Sequence, residues 1–239
     1  MIRHVEHVMG MPISVALRGR HAADARGSAA WADALAVLRA ADRVFSTYRP
    51  GSVISRLGRG EIALADCPPE VAEVLGIGDA ARRASGGAFD VHRPDGTLDP
   101  SGVVKGWAAE RAAVHLVALP ETDFCLSAGG DVVCRTLDPD AAPWRIGVED
   151  PHDTGRVAAV VPLHTGAVAT SGTARRGNHV VDGRTGRPSE GVASVTVVGD
   201  SLTVVDVDAT AAFALGSDGE DWLAGRGHRA VFVVPSRRD

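Results

Sequence analysis

The sequence predicts a single α+β domain, spanning residues 1–239, in which helices pack against an antiparallel sheet. Three observations predict it: helical periodicity dominates the first half of the chain, short strand-like apolar stretches follow in the second half, and no internal repeat or interdomain linker separates them. With 239 residues, of which 45% are hydrophobic and 23% charged, the chain has the composition of an ordinary globular protein that can bury one large core.

The first half is predicted to begin with a strand and to continue with helices. Apolar and polar residues alternate over residues 4–17, which predicts a strand with a tight interruption at 9–12. Helical periodicity then predicts helices over 22–44, 53–57 and 68–84. Ser52 is a suitable N-cap for the second of these, and Ser85-Gly86-Gly87 is a typical stop for the third.

The second half is predicted to consist mainly of strands, which follow a helix over 102–119. Apolar stretches predict strands at 124–126, 132–135, 144–148, 157–163 and 168–170. Their succession along the chain indicates an antiparallel meander. Further strands at 192–198 and 230–234 flank a helix that is predicted to run from about Val207 to Leu215.

Composition excludes several classes of function. The formal net charge of −5 lacks the basic excess that a nucleic-acid surface needs, so we expect no nucleic-acid partner. No apolar run approaches the roughly 18 residues of a membrane-spanning helix, and residues 1–7 contain no apolar signal core. We therefore expect no membrane anchor and a cytoplasmic location. The three cysteines show no CxxC spacing, which argues against a disulfide framework and a zinc site.

A compositional bias marks residues that are hard to replace. Of 25 basic residues, 24 are arginine and only Lys105 is lysine, while Tyr48 and Asn178 are the only residues of their types. Arginine is a planar fork and lysine a compact point charge, so the retained lysine indicates a position where the point charge matters. For any one of these three residues, retention by chance is an equally good explanation. That explanation becomes weaker if all three lie within motifs that make chemical sense.

The first motif is a turn of small residues that leads into a helix within 98–111. A helix start of this kind presents free backbone N–H groups and the positive end of the helix dipole, which favours an anion such as phosphate. Lys105, in the predicted first turn, would add a positive charge to that site. Taken alone, a solvated surface lysine is an equally good interpretation.

The second motif places oxygen ligands on one face of the last long helix. Asp206 and Thr210 are four residues apart, so their carboxylate and hydroxyl project from the same side. A few oxygen ligands suit Mg²⁺, which keeps waters and takes its remaining contacts from substrate phosphates. Taken alone, a helix-capping Asp206 and a packed Thr210 fit these residues better.

The third motif contains a candidate general base. Ala169-Thr170-Ser171-Gly172 is followed by His179, on a predicted strand beside a turn within 182–188. Histidine acts as a base near neutral pH, but the chain has nine histidines, and a hydrogen-bonded structural histidine is the alternative. Paired glycines at 86–87 and 129–130 allow a close approach of backbone to a ligand without specifying one.

The order of these motifs is more specific than any one of them. From about residue 8 to 216, the chain resembles the ApbE family of FAD:protein FMN transferases. The segments that carry the resemblance are 9–12, 45–50, 86–90, 99–106, 129–131, 169–172, 182–188 and 206–210. The resemblance implies a fold related to the T-fold, with FAD in a central cleft and Mg²⁺ at its pyrophosphate.

The resemblance also assigns roles to individual residues. It implies contacts with FAD from Met9, Tyr48, Ala88, Phe89, Asp90, Asp99, Lys105 and Val180. It further implies that Mg²⁺ is bound by the backbone carbonyl of Gly102 and by the side chains of Asp206 and Thr210. Several of these residues are the ones that the composition and the motifs had already marked.

The activity that the resemblance implies is Mg²⁺-dependent transfer of FMN from FAD to a Ser or Thr hydroxyl of an acceptor flavoprotein, with release of AMP. Lys105 would neutralise charge on the pyrophosphate, and His179 would take the proton of the attacking hydroxyl, a role that Asp206 could share. Two alternatives stay open. One is an FAD pyrophosphatase, in which water replaces the protein hydroxyl, and the other is a non-catalytic FAD-binding protein.

Overall fold

A computed structural model of the chain describes residues 1–93, 95–174 and 180–236. The α-helices within these ranges are α1 (Ala25–Phe45), α2 (Val53–Gly58), α3 (Pro69–Ala84), α4 (Ser101–Val117), α5 (Leu202–Leu215) and α6 (Gly219–Ala224). Short 3₁₀ turns lie at Leu64–Asp66 and Gly216–Asp218. Across the same ranges, no helix combines the length and the apolar character that crossing a membrane requires.

The strands form one large sheet and one separate pair. They are β1 (Ile2–Val8), β2 (Met11–Gly19), β3 (Thr122–Ala128), β4 (Asp131–Arg135), β5 (Trp144–Asp150), β6 (Asp153–Leu163), β7 (Gly166–Gly172), β8 (Val192–Gly199) and β9 (Ala230–Pro235). The large sheet has the order β1-β2-β3-β4-β7-β8-β9, and all its neighbouring strands are antiparallel. The predicted α+β class with an antiparallel sheet is therefore confirmed.

The predicted meander is interrupted between β4 and β7. These two strands pair directly, for example through Val132 and Val168, so β5 and β6 leave the sheet as a hairpin. The reason lies in the hairpin's apolar face, where Trp144 and Val161 pack over Val132 and Val168 on the back of the large sheet. A continuous meander would leave that face of the sheet uncovered, whereas the folded-back hairpin buries it.

The helices cover the opposite face of the large sheet. α1, α4 and α5 pack side by side, and α4 and α5 contact the sheet at β3, β7 and β8. α5 is buried along nearly its whole length, as its apolar composition on all sides requires. The core between the helices and the sheet contains Leu38, Phe124 and Phe213, which are fully buried.

The predicted helices of the first half are confirmed within a few residues. Ser52 caps α2, because its hydroxyl accepts the N–H of Ser55 at 3.1 Å. α3 begins at Pro69 and ends at Ala84, before the predicted glycine stop.

α5 begins five residues earlier than predicted. Its N-cap is Ser201, whose hydroxyl accepts the N–H of Val204 at 3.3 Å, so the first helical residue is Leu202 rather than Val207. Asp206 consequently lies inside the helix, and its interpretation as a helix cap is wrong.

The connection between β1 and β2 is a two-residue turn with left-handed backbone at both positions. Met9 has φ of 56° and Gly10 has φ of 70°, as in the turns that suit the twist of an antiparallel hairpin. Glycine adopts this conformation freely, whereas a left-handed residue with a Cβ atom costs roughly 1–2 kcal/mol. Strain of this kind is typical of residues beside a functional site.

α4 and α5 cross in antiparallel directions at very close range. A Cβ atom at Gly106 would lie 2.8 Å from the Cβ of Asp206 and 2.8 Å from the carbonyl oxygen of Leu202, so glycine is required here. The Gly106 N–H donates to Oδ2 of Asp206 at 2.8 Å. This crossing joins residues that lie 100 positions apart in the sequence.

Replacing Gly106 with alanine should destabilise the protein by about 1–3 kcal/mol, because the added methyl group overpacks the crossing. Gly76→Ala is the matched control: nothing lies within 4 Å of a Cβ at this position of α3, and alanine is favoured over glycine in a helix by about 1 kcal/mol. Urea unfolding should show a lower midpoint for the first variant and a higher one for the second. Equal midpoints would contradict the close crossing.

Candidate functional site

A cleft of about 1380 Å³ opens between the β1–β2 turn, the helices α4 and α5, and the strands β4 and β7. All the predicted site residues that the structure describes line it, namely Met9, Tyr48, Ala88, Phe89, Asp90, Asp99, Gly102, Lys105, Val180, Asp206 and Thr210. His179 lies outside the described residues. The structure thus brings the predicted residues together, while the role of each stays a prediction.

Lys105 lies between two buried carboxylates. Its ammonium forms one ion pair with Asp131 and a second with Oδ1 of Asp206, at 3.2 Å. The side chains of Asp131 and Asp206 are 2% and 1% exposed, whereas that of Lys105 is 23% exposed and still reaches the cleft. The interpretation of Lys105 as a solvated surface residue is therefore wrong. Because α4 begins at Ser101, the lysine lies in the second helical turn and not in the first.

Each carboxylate is held by a backbone amide on its other oxygen. Oδ1 of Asp131 accepts the N–H of Thr170 at 3.0 Å, and Oδ2 of Asp206 accepts that of Gly106 at 2.8 Å. Within the described part of the chain, Oδ2 of Asp131 and Oδ1 of Asp206 accept no hydrogen bond that meets normal geometry and face the ammonium of Lys105. Two carboxylates share one ammonium, so the cluster favours an additional cation.

The burial of this cluster shifts the pKa values of its members. Burial raises the pKa of Asp206 well above that of an ordinary carboxyl group; Lys105 opposes this shift, and the neighbouring Asp131 adds to it. Burial by itself would lower the pKa of Lys105, but the charges of Asp206 and Asp131 outweigh burial and raise it. The lysine therefore stays charged, and Asp206 takes up a proton at a higher pH than an ordinary carboxyl group does.

The three predicted metal ligands lie close to one another. Thr210 follows Asp206 by one turn on α5, and its hydroxyl is 2.9 Å from Oγ of Ser171. A Cβ atom at Gly102 would lie 3.7 Å from Cγ2 of Thr210. In an α-helix the Gly106 N–H donates to the carbonyl of Gly102, and here the bond to Asp206 competes for that proton. The Gly102 carbonyl oxygen therefore keeps capacity for another partner.

These donors fit a hard, oxygen-seeking cation. Across residues 1–93, 95–174 and 180–236, no group of three His, Cys, Asp or Glu side chains is arranged to hold a metal ion. A cation would therefore be bound by a mixed set of one carboxylate, one hydroxyl and one backbone carbonyl. Mg²⁺ accepts such a set, because it retains several waters and binds substrate phosphates.

The start of α4 differs from the prediction of free amides. Oδ1 of Asp99 accepts the N–H of Ser101 at 3.1 Å, and the amides of residues 103–104 donate to the carbonyl of Pro100. Burial raises the pKa of Asp99, but the hydrogen bonds from Ser101 and the ion pair with Arg93 outweigh burial and lower it. An anion in the cleft would therefore interact mainly with the positive charge of Lys105, and less with free N–H groups at the start of α4.

Two distant segments, 86–90 and 182–188, are joined beside the cleft, which is lined by Ala88, Phe89 and Asp90 of the first segment. The N–H of Gly183 donates to the carbonyl of Ala88 at 2.9 Å, which fixes the two segments together. Two amides of the second segment donate to the carbonyl of Asp182, which confirms the predicted turn. Glycine is required at position 183, because a Cβ atom there would lie 2.6 Å from the carbonyl oxygen of Gly87.

Tyr48 projects from the loop between α1 and α2. Its side chain is 96% exposed and lines the cleft at its margin. An aromatic ring that is exposed in this way offers a flat surface on which another planar ring can stack.

Three residues of the cluster had no predicted role. Asp131 holds Lys105, Ser171 holds Thr210, and Gly106 holds Asp206. All three belong to motifs that the sequence showed, and Asp131 carried a specific signal, because it is a charged residue directly before the apolar residues 132–134. The partners of Ser171 and Gly106 could not be found from the sequence, since both contacts depend on how the helices pack.

Comparisons with known proteins agree with this architecture. The model of the ApbE family matches residues 9–94 and 91–233. A FAD:protein FMN transferase of Rhodobacter capsulatus is 37% identical over 148 residues, which cover 57% of this chain and 28% of that protein. One from Escherichia coli K12 is 31% identical over 160 residues, which cover 61% and 44%. One from Vibrio cholerae is 29% identical over 187 residues, which cover 70% and 54%. The chain thus spans about half or less of the length of these relatives.

Solved structures share the fold over nearly the whole chain. The ApbE protein of Thermotoga maritima aligns with a TM-score of 0.85 and 21% identity, covering 98% of this chain and 94% of that one. The flavin transferase ApbE of Vibrio cholerae aligns with a TM-score of 0.84 and 22% identity, covering 100% and 94%. At these identities the likeness establishes the fold.

The buried ion pairs make a prediction about stability. Lys105→Met should destabilise the protein by about 3–5 kcal/mol near pH 8, because it leaves Asp131 and Asp206 without their counter-ion. The pKa of Asp206 is already raised, so the folded state binds protons more tightly than the unfolded state, and the loss should shrink as the pH falls to about 5.

Urea unfolding at the two pH values measures this effect. Arg20→Met is the control, because it removes the cation of an exposed pair with Glu121, which should cost less than about 1 kcal/mol at either pH. A loss for Lys105→Met that is no larger than the control's, or that grows as the pH falls, would contradict the charge arrangement described above.

Proposed function

Because the chain belongs to the ApbE family, we propose that it transfers the FMN half of FAD to a Ser or Thr hydroxyl of an acceptor flavoprotein and releases AMP. The proposal extends to this chain the activity for which its relatives are named, FAD:protein FMN transferase. The matched stretches cover only part of those relatives, so the substrates, the acceptor and the dependence on Mg²⁺ are all part of the proposal.

One observation carries the proposal: the residues suited to bind a diphosphate and those suited to bind a cation line a single cleft, although they come from separate segments of the chain. Its volume of about 1380 Å³ exceeds the roughly 300–1,000 Å³ of an ordinary small-molecule pocket. The space is therefore large enough for a dinucleotide together with part of an approaching polypeptide.

Lys105 is assigned to the diphosphate. Its ammonium is positioned by Asp131 and Asp206 before any ligand arrives, so little reorganisation is needed when negative charge develops on the phosphoryl oxygens. Because both carboxylates are buried, the charge acts in surroundings less polar than water, where its effect is stronger.

Gly102, Asp206 and Thr210 are assigned to the divalent cation. Bound there, Mg²⁺ would neutralise charge on the two phosphates of the substrate. Ser171 orients the hydroxyl of Thr210 through its hydrogen bond. Lys105 pairs with Asp131 as well as with Asp206, so it compensates the negative charge of Asp206 only in part. The remaining negative charge is available to a cation.

In the proposed transfer, the acceptor oxygen forms a bond to the phosphorus on the FMN side. The bond between that phosphorus and the bridging oxygen breaks, and AMP leaves with the bridging oxygen. The hydroxyl proton passes to a base, for which His179 is the predicted group. The carboxylate of Asp206 is the second candidate for this base.

Asp206→Ala should lower FMN transfer by about 100-fold, which is the usual effect of removing one group that stabilises transition-state charge. The measurement is mass spectrometry of candidate flavoproteins after coexpression, with detection of an added FMN on Ser or Thr. Asp200→Ala is the control, because this carboxylate is 81% exposed and does not line the cleft, and it should leave transfer unchanged. Full transfer by Asp206→Ala would refute the metal assignment.

Incubation of the purified protein with FAD and Mg²⁺ separates transfer from the two alternatives. A transferase should release AMP in proportion to the flavinylated acceptor and little without an acceptor. Rapid release of FMN in the absence of an acceptor would support an FAD pyrophosphatase instead. Retention of FAD without turnover, with any divalent ion, would support a flavin-binding protein.

A further inference from the structure

Glu110 lies on α4, one turn beyond Gly106, and reaches across to the first turn of α5. Its Oε1 accepts the N–H of Leu202 at 3.1 Å. Its Oε2 accepts the hydroxyl of Ser201 at 2.9 Å, the N–H of Thr203 at 3.1 Å and the Thr203 hydroxyl. One carboxylate thus makes four hydrogen bonds, all of them to the residues that begin α5.

These bonds complete the N-terminus of α5. The first four N–H groups of a helix have no partner within the helix. Here the N–H groups of Leu202 and Thr203 donate to Glu110, and that of Val204 donates to the Ser201 hydroxyl. The first regular helical bond then runs from the Val205 N–H to the Ser201 carbonyl. A carboxylate at this end is also favoured by the helix dipole. Glu110 is therefore the charged part of a cap that another helix supplies.

The contacts between the two helices follow a regular antiparallel ladder. Gly102 lies beside Thr210, Gly106 bonds to Asp206, and Glu110 holds Leu202. Each step of four residues along α4 is thus matched by a step of four in the opposite direction along α5. The first two contacts involve the predicted metal ligands. The third, from Glu110 to the start of α5, involves none of them.

We propose that Glu110 is a positioning residue for the cation site: by holding the first turn of α5, it sets the register in which Asp206 and Thr210 face Gly102. The inference rests on the proposed function, because it concerns the same site. Without the Glu110 contact, α5 is still joined to α4 by packing, by the bond between Gly106 and Asp206 and by the ion pair with Lys105. These two polar contacts lie beyond the first turn of α5.

Glu110→Gln tests this inference, because it keeps the size of the side chain and removes the charge and part of the hydrogen-bonding capacity. Glu73→Gln is the matched control. Glu73 braces the same helix from α3, through the indole N–H of Trp107 at 2.9 Å and the guanidinium of Arg111 at 3.1 Å, and both of these partners belong to α4. Each variant removes one carboxylate that joins α4 to a neighbouring helix. Only Glu110→Gln weakens the contact that sets the register between α4 and α5.

The primary measurement is the dissociation constant of Mn²⁺, followed by electron paramagnetic resonance with and without FAD. Glu110→Gln should weaken Mn²⁺ binding about tenfold, the lower end of the range for residues that orient metal ligands. Glu110→Asp should recover part of the loss. Glu73→Gln should leave Mn²⁺ binding within about twofold of the parent, even where thermal unfolding shows a similar loss of stability. Hydrogen exchange should be faster at residues 202–206 in Glu110→Gln only.

Unchanged Mn²⁺ binding in Glu110→Gln, or an equal loss in Glu73→Gln, would overturn the inference. If Glu110→Gln does not fold, Thr203→Val replaces it, since it removes one of the four bonds at nearly constant volume and should weaken Mn²⁺ binding about threefold; no weakening would again overturn the inference. These readouts do not require turnover. A parent protein that binds Mn²⁺ and transfers no FMN would count against the proposed function and leave the role of Glu110 to be decided by the binding data.

Discussion

The close antiparallel crossing of α4 and α5 is the contact on which the site depends. At Gly106 the helices approach so closely that a methyl group would collide with Asp206, and the freed space lets the Gly106 amide bind the Asp206 carboxylate. The same approach places Lys105 within reach of Asp206 and brings Gly102 beside Thr210. One steric constraint in the core thereby determines where the cleft can hold charge.

The second feature is the uneven charge of the buried cluster. Asp131 and Asp206 together carry more negative charge than Lys105 compensates, and both are almost fully buried. Burying an uncompensated charge is costly, so the arrangement is consistent with a site whose charge is balanced when a cation is bound. It also explains why the pKa of Asp206 is raised while Lys105 remains protonated. The excess negative charge of the two buried carboxylates thus lowers the stability of the protein and, in the proposed function, attracts the cation.

Local signals predicted the local structure well. The helix over 69–84, the Ser52 cap and the turn at 182–186 follow from periodicity and from residues with strong positional preferences. The prediction was wrong where a distant contact competes with a local signal. α5 starts five residues early because Ser201 and Glu110 cap it, and β5–β6 leave the sheet because their apolar face has a better partner behind it.

The sequence by itself determined the fold class, the family resemblance and the residue types of the site, because these depend on local pattern and on the order of motifs. It named Lys105, Asp206 and Thr210, but it left open whether they were surface, capping or packed residues. Only the tertiary structure decided that Lys105 pairs with the buried carboxylates of Asp131 and Asp206, and that Glu110 caps the helix that carries Asp206. The physical reason is that burial and charge pairing depend on which distant segments meet, and that is settled by packing between helices and sheet.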